Sequence, residues 1–166
     1  MRKPTIALVD GACMGGGWQL ASACDFIVAS GRSLFAITPA KLGIIYPRSG
    51  IERLVRLVGP AAAKLILFSA ETLGAERARE LGLVSEVVAD ADFVERCRSL
   101  LATIRDRSQF STHTLKRLVD LPITPNVDEE WRAAWAAMTD GPDMEIGVAA
   151  FLERRQPQFV WRATEA

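Results

Sequence analysis

The chain reads as an α/β core followed by a run of helices, and three observations predict that class. Short apolar runs alternate with glycine-rich turns in the first third of the sequence. Near Gly50 the apolar period changes from strand-like to helical. Beyond Ala89 only helical stripes remain, so the expected division is an α/β core over 1–89 and a helical region over 90–166. The first element is Thr5 to Val9, an apolar run entered through Lys3-Pro4, which reads as a buried strand. Next comes Gly11-Ala-Cys-Met-Gly-Gly-Gly17, a glycine loop, and then Trp18 to Cys24, whose Gln, Leu and Ala favour a helix. Phe26 to Ala29 and Leu34 to Ile37 are two further strands. Ile51, Leu54, Val55 and Val58 recur at helical spacing until Gly59-Pro60, with Pro60 suited to open a second helix through Ala70. Gly74 to Leu81 is a short helix stopped by Gly82, and Leu83 to Ala89 is the last strand. Asp90 is placed to cap a helix whose apolar face is Phe93, Val94, Cys97, Leu100, Leu101 and Ile104. Trp131, Ala134, Trp135 and Met138 stripe another helix as packing residues, and Met144, Val148, Phe151 and Leu152 stripe the last. Leu121 to Asn126 is the linker-like stretch.

Composition removes several function classes. A length of 166 residues suffices for a real core. Twenty Lys+Arg against twenty Asp+Glu leave a formal net charge of zero, so no basic field gathers a phosphate backbone and nucleic acid is not an expected partner. The longest stretch without a charged side chain, 11–24, contains three consecutive glycines and falls short of the roughly 20 apolar residues a bilayer span needs. No membrane association is expected. After Arg2 and Lys3 only Thr5 to Val9 is apolar, short of the roughly 7–15 residues of a signal peptide core. Cys13, Cys24 and Cys97 form no CxxC pair, so neither a disulfide framework nor a zinc knuckle fits, and a cytoplasmic, reducing setting is expected. His113 is the only histidine and reads as a surface or capping residue, which excludes a His-rich metal site; no metal is expected. With no G-x-S-x-G turn, nucleophilic hydrolysis is disfavoured.

The glycine loop carries the most chemistry. Glycines between a strand and a helix let a ligand approach the backbone, and the first N–H groups of the helix have no partner inside it. A tight structural turn and a site for an anion or oxyanion both fit. A phosphate loop does not, because Gly17-Trp18 stands where Lys-Ser/Thr is required, and no G-x-G-x-x-G threads through the loop. Trp18 follows directly and is expected to wall whatever binds. Tyr46, the only tyrosine, lies in Gly43-Ile-Ile-Tyr-Pro47 with Thr38-Pro39 upstream. It either orients a polar substrate group or anchors its own loop. The cluster Glu153-Arg154-Arg155 reads as a solvated helix face or as a partner for a ligand phosphate.

Taken together, these segments resemble a known family. Lys3-Pro-Thr-Ile-Ala-Leu-Val-Asp-Gly11, Met14-Gly-Gly-Gly-Trp-Gln-Leu-Ala21 and Ala23-Cys-Asp25 are similar to the signature of the crotonase, or enoyl-CoA hydratase/isomerase, family. Phe35-Ala-Ile-Thr-Pro-Ala-Lys-Leu-Gly43, Arg53-Leu-Val-Arg-Leu-Val-Gly59, Ala78-Arg-Glu-Leu-Gly-Leu-Val84 and Ala150-Phe-Leu-Glu-Arg-Arg-Gln-Pro-Gln-Phe159 follow its later segments in order. The resemblance implies a spiral of ββα units, here the later, N-terminally truncated part of the fold, followed by C-terminal helices for trimerisation. It implies a homo-oligomer, trimer or hexamer, that processes acyl-CoA thioesters in fatty acid metabolism, with coenzyme A entering as part of the substrate and no separate cofactor. The shared step is an enolate-like oxyanion on the thioester carbonyl, held by two backbone N–H donors, one of which maps to Gly16. Met14, Gly15, Trp18, Thr38 and Pro39 would surround the acyl group, and Phe151 and Arg154 would cover the CoA, often from a neighbouring subunit. The first oxyanion donor of the family has no counterpart before Lys3, and Thr5 to Val9 is expected as an exposed or partner-covered strand.

Two positions depart from the hydratase pattern. Gln19 and Pro39 stand where family hydratases use glutamates; a neutral amide is no general base, and proline has no side-chain proton to move. The run Phe35 to Pro39 with Tyr46 more closely resembles family members that decarboxylate methylmalonyl-CoA, in which loss of carbon dioxide creates the enolate without a base. Gly16, Tyr46 and Gln19 are therefore the expected catalytic residues of a decarboxylating lyase or an isomerase. The alternative is a non-catalytic or assembly-only relative.

Overall fold

A computed structural model describes residues 3–121 and 127–162 of the chain. Thr5–Arg98 form one compact unit, and residues 3–4 with the described residues from Ser99 onward form a second.

In the first unit, strands β1 (Ile6–Val9) and β2 (Ala12–Met14) follow each other without pairing, and each joins a different sheet. Gly11 turns the chain between them at φ 112, a conformation that a side chain resists. Strands β3 (Phe26–Ser30) and β4 (Leu34–Ala36) repeat the arrangement. β1 runs parallel to β3 with Ile6 opposite Phe26, and β2 runs parallel to β4 with Ala12 opposite Leu34 and Met14 opposite Ala36. β5 (Leu73–Gly74) adds antiparallel to β4, and β6 (Glu86–Val88) adds parallel to β3. The sheets are thus ordered β1-β3-β6 and β2-β4-β5, each with an early strand at an edge. A buried serine pair ties the two turns together. Ser30 and Ser33 hydroxyls lie 2.9 Å apart, Ser33 Oγ donates to the Val9 carbonyl, and the Gly11 N–H donates to Ser33 Oγ.

The helices of this unit are α1 (Gly16–Ala21), α2 (Arg48–Ser69), α3 (Ala75–Glu80) and the first part of α4 (Phe93–Arg105). α1 starts inside the glycine loop, two residues before its predicted start. α2 is broken at Gly59 (φ 75, ψ 167), where the Gly-Pro pair predicts a break. Asp90 does not cap α4; its carboxylate accepts the Arg32 backbone N–H at 3.0 Å instead. Trp18, Phe35, Leu54 and Val28 are the largest fully buried apolar side chains, and Ile27, Ile37 and Ile66 complete the core around them. β3, between two neighbours, is buried along nearly its whole length, which is why its sequence is apolar at successive positions rather than alternating.

The second unit contains the rest of α4, then α5 (Gln109–Asp120), α6 (Val127–Asp140) and α7 (Pro142–Leu152). α5 packs on α6 and α6 on α7, and Arg117 pairs with Glu130 at 2.7 Å between the first two. Ser108 caps α5 by accepting the Ser111 N–H, and donates its own hydroxyl to Asp143 at 2.5 Å. The other oxygen of Asp143 accepts the backbone N–H groups of Val160 and Trp161, both at 3.1 Å. The Trp161 ring meets Phe110 and His113 edge-on with centroids 5.6 Å apart. His113 is thus a half-buried residue of α5 whose ring packs edge-on against Trp161.

The tryptophan stripe of α6 does not pack as expected. Ala134 is buried, but Trp131 and Trp135 are 48% and 65% exposed. Val148, Phe151 and Leu152 of α7 are exposed as well. The linker-like stretch falls, after Leu121, outside the described residues. Among the described residues no helix is long and apolar enough to cross a membrane.

Candidate functional site

The glycine loop folds as a strand end, a turn and a helix start. Met14 closes β2 opposite Ala36, and the Gly15 N–H donates to the Ala36 carbonyl at 2.9 Å. Gly15 then takes φ 44 and ψ −101, which redirects the chain into α1. Gly16 is the first residue of that helix, so its N–H, with those of Gly17 and Trp18, has no acceptor within the helix. Gly16 and Gly17 are exposed, and a Cβ built on Gly16 meets no atom within 4 Å. A ligand can reach this peptide directly.

The carbonyl of Gly15 accepts two hydrogen bonds. One is the helical bond from the Gln19 N–H at 3.1 Å; the other comes from the Tyr46 hydroxyl at 2.8 Å. The Gly15 C=O and the Gly16 N–H are opposite ends of one planar trans peptide, so fixing the oxygen fixes the direction of the N–H. Of the two readings of Tyr46, the structure displays the loop anchor. Burial holds the Tyr46 phenol above its ordinary value, although the neighbouring Arg53 guanidinium pulls it down, so the hydroxyl stays protonated and donating at neutral pH.

Gln19 lies one turn into α1, half-buried. Its Oε1 accepts Arg53 Nη2 at 2.6 Å, and Arg53 Nε donates to Ser22 Oγ at 3.2 Å. Both Gln19 and Tyr46 lean on Gly50, where a Cβ would lie 2.5 Å from Tyr46 Cε1 and 2.7 Å from Gln19 Nε2. The structure therefore gathers Gly15, Gly16, Gln19 and Tyr46, and adds Gly50, Arg53 and Ser22, which sequence reasoning missed. The signal available for Gly50 was a glycine in the first turn of a long helix, a position where glycine is unfavourable unless space demands it. Nothing local to Arg53 marks it.

The remaining candidates fall in several places. Thr38 precedes the 3₁₀ turn Pro39–Leu42, and Pro39 is buried, its carbonyl accepting the Ile44 N–H on the way to Tyr46. Trp18 forms no wall: at 1% exposed it belongs to the core beneath the loop, because the start of α1 turns that side chain inward. Phe151 and Arg154 are exposed and belong to the helical unit, not to the unit that carries the loop. On another side of α1 a shallow groove of about 340 Å³ is lined by Leu8, Val9, Cys13, Leu20 and Cys24 among others. Burial raises the Cys13 thiol above its ordinary value, so it is a packing group rather than a nucleophile. Among the described residues no group of three or more His, Cys, Asp or Glu is placed to hold a metal ion.

Comparison with known proteins gives a consistent picture. A family profile described as enoyl-CoA hydratase/isomerase matches residues 1–162. The crotonyl-CoA hydratase of Syntrophomonas wolfei is 32% identical over 163 residues, covering 96% of this chain and 63% of its own length. A probable enoyl-CoA hydratase of Mycobacterium tuberculosis is 34% identical over 166 residues, with 98% and 64% covered. A solved enoyl-CoA hydratase/isomerase family member superimposes with a TM-score of 0.95 at 60% identity, covering 98% of this chain and 62% of that one. The chain thus spans a little under two thirds of the length of each of these relatives.

Proposed function

The chain belongs to the enoyl-CoA hydratase/isomerase family, and on that premise we propose that it processes an acyl-CoA thioester by stabilising an enolate oxyanion at the Gly16 N–H, decarboxylating rather than hydrating its substrate. The observation that carries this reading is the double hydrogen bond on the Gly15 carbonyl, which orients the Gly16 N–H in advance of any ligand. A donor fixed before charge develops costs no reorganisation in the transition state, and removing one such donor lowers turnover by about 10²–10³-fold.

The residues at the positions where family hydratases use glutamates favour decarboxylation. Gln19 is neutral, Pro39 is buried and carries no proton, and Tyr46 is protonated and committed to Gly15. Loss of carbon dioxide breaks the bond between the carboxylate carbon and the α-carbon. Its electron pair moves to the thioester carbonyl oxygen as the enolate, and the α-carbon then takes a proton from water. No step needs a base in the protein. Coenzyme A takes part only as the thioester carrier, and no separate cofactor is needed. Met14, Gly15, Thr38 and Pro39 frame the acyl site, with Trp18 supporting the loop from the core. Phe151 and Arg154 serve as CoA cover, contributed between copies of a trimer or hexamer; the outward-facing apolar residues of α6 and α7 support such an assembly.

Gly16→Pro is the decisive variant. Proline is tolerated at the first position of a helix yet has no N–H, so it deletes the donor with the least disturbance of α1. With methylmalonyl-CoA and crotonyl-CoA as probes, the wild type should release carbon dioxide from the first and leave the second unhydrated. Gly16→Pro should be slower by about 10²–10³-fold. Equal rates in the variant would overturn the mechanism. A wild type inert toward every thioester would instead favour the non-catalytic alternative, which Gln19 and Pro39 also suit.

A further inference from the structure

We infer that Arg53, with the gap left by Gly50, is a positioning residue that turns Gln19 into a one-sided hydrogen-bond donor and thereby selects CoA thioesters whose acyl group carries a carboxylate. The inference rests on the reading of the glycine loop as a thioester site, and deepens it.

A guanidinium has donors only, so the atom of Gln19 that it meets at 2.6 Å must be the carbonyl oxygen. The amide cannot be turned round without setting N–H against N–H. The second arm of Arg53 reaches Ser22 Oγ at 3.2 Å, and the Ser22 hydroxyl donates to the Gln19 backbone carbonyl at 3.3 Å. Arg53 is thus held to both ends of the same residue. On the other side the Gln19 amide rests against the bare Cα of Gly50, where a Cβ would lie 2.7 Å from its nitrogen and displace it. With its oxygen occupied, Gln19 presents only its NH₂ group, and that group has no acceptor among the described residues.

Charge adds to the same polarity. Arg53 is half-buried, its two hydrogen-bond partners are neutral, and among the described residues no carboxylate pairs with it. A protein that needed Gln19 only as packing would gain nothing from an unpaired cation at this depth. A donor amide backed by an uncompensated positive charge, one turn along α1 from Gly16, favours an acyl group with a negatively charged end over a plain alkyl or alkenyl chain.

The test has a substrate-free part and a kinetic part. In ¹H–¹⁵N spectra of the full chain the Gln19 side-chain NH₂ signals, assigned by their loss in Gln19→Met, should be well dispersed in the wild type. They should move to the position of a solvent-exposed glutamine in Arg53→Met while the backbone signals of the core stay in place. Unmoved NH₂ signals overturn the clamp. With methylmalonyl-CoA as probe, Arg53→Met should lower kcat/KM by about tenfold, Arg53→Lys should recover part of the loss, and Arg53→Met should cost nothing further in a Gln19→Met background. Losses that simply multiply would mean that Arg53 does not act through Gln19, and would overturn the inference. A wild type that turns over no thioester would count against the thioester reading alone, because the NH₂ signals decide the clamp by themselves.

Discussion

Gly50 occupies the first turn of α2, where alanine would ordinarily favour the helix by about 1 kcal/mol. Here the added methyl would enter the contact zone of the Tyr46 ring and the Gln19 amide, both distal groups able to shift. Gly50→Ala should therefore leave the unfolding temperature within a few degrees of wild type while lowering turnover about tenfold or more; unchanged turnover in a folded variant would show that neither side chain needs its place. Tyr46 supplies a pH dependence. Its phenol is held above the ordinary value of 10.0, so the stability it contributes is fully present below that pH and is lost as pH rises through the higher folded value. Tyr46→Phe should cost about 1 kcal/mol at neutral pH and abolish this alkaline slope in denaturant titrations. At this scale the sequence discloses the loop glycines and the lone tyrosine, because residue type alone sets them apart. Arg53 is hidden, because its meaning lies in contacts with residues 31 and 34 positions away.

Among the elements, those with a strong local pattern match expectation and those defined by a distant partner do not. β3, β4 and both halves of α2 follow from apolar runs and from the Gly59-Pro60 break. β2 is three residues set between glycines, and only its pairing with Leu34 to Ala36 makes it a strand; β5, two residues long, is likewise created by β4. The stripe of α6 misleads for the opposite reason: period reports which residues share a face, not what covers that face. In the helical unit a single carboxylate does the work of a small core. Burial pushes Asp143 up, but the hydrogen bonds from Ser108 and from the Trp161 and Val160 N–H groups outweigh it and hold the group below its ordinary value of 3.8. Its stabilisation is thus present above that pH and lost as pH falls through the lower folded value. Asp143→Ala should cost about 2–3 kcal/mol at neutral pH and flatten the acid side of the stability profile followed by circular dichroism.

Across the whole molecule, protection from solvent should follow sheet position rather than sequence position. β3 has a neighbour on each side and is almost wholly buried, whereas β1 and β2 each leave one edge unpaired among the described residues. Amide exchange should be slowest at Val28 and Ala29 and several orders faster along the free side of β1; equal protection of the two strands would contradict the edge assignment. The order of apolar runs discloses an α/β core followed by helices, but not that consecutive strands part into separate sheets, since that depends on pairing one repeat later. The distribution of tryptophan has a different use. Trp18 is sealed under the glycine loop, its indole N–H without an acceptor among the described residues, while Trp131 and Trp135 face outward. Intrinsic fluorescence of the single chain should therefore contain a blue-shifted component shielded from acrylamide and a red-shifted, readily quenched one, the latter becoming shielded on assembly through α6. The shielded component is a built-in optical gauge of whether the ground beneath Gly16 is intact, readable without any label.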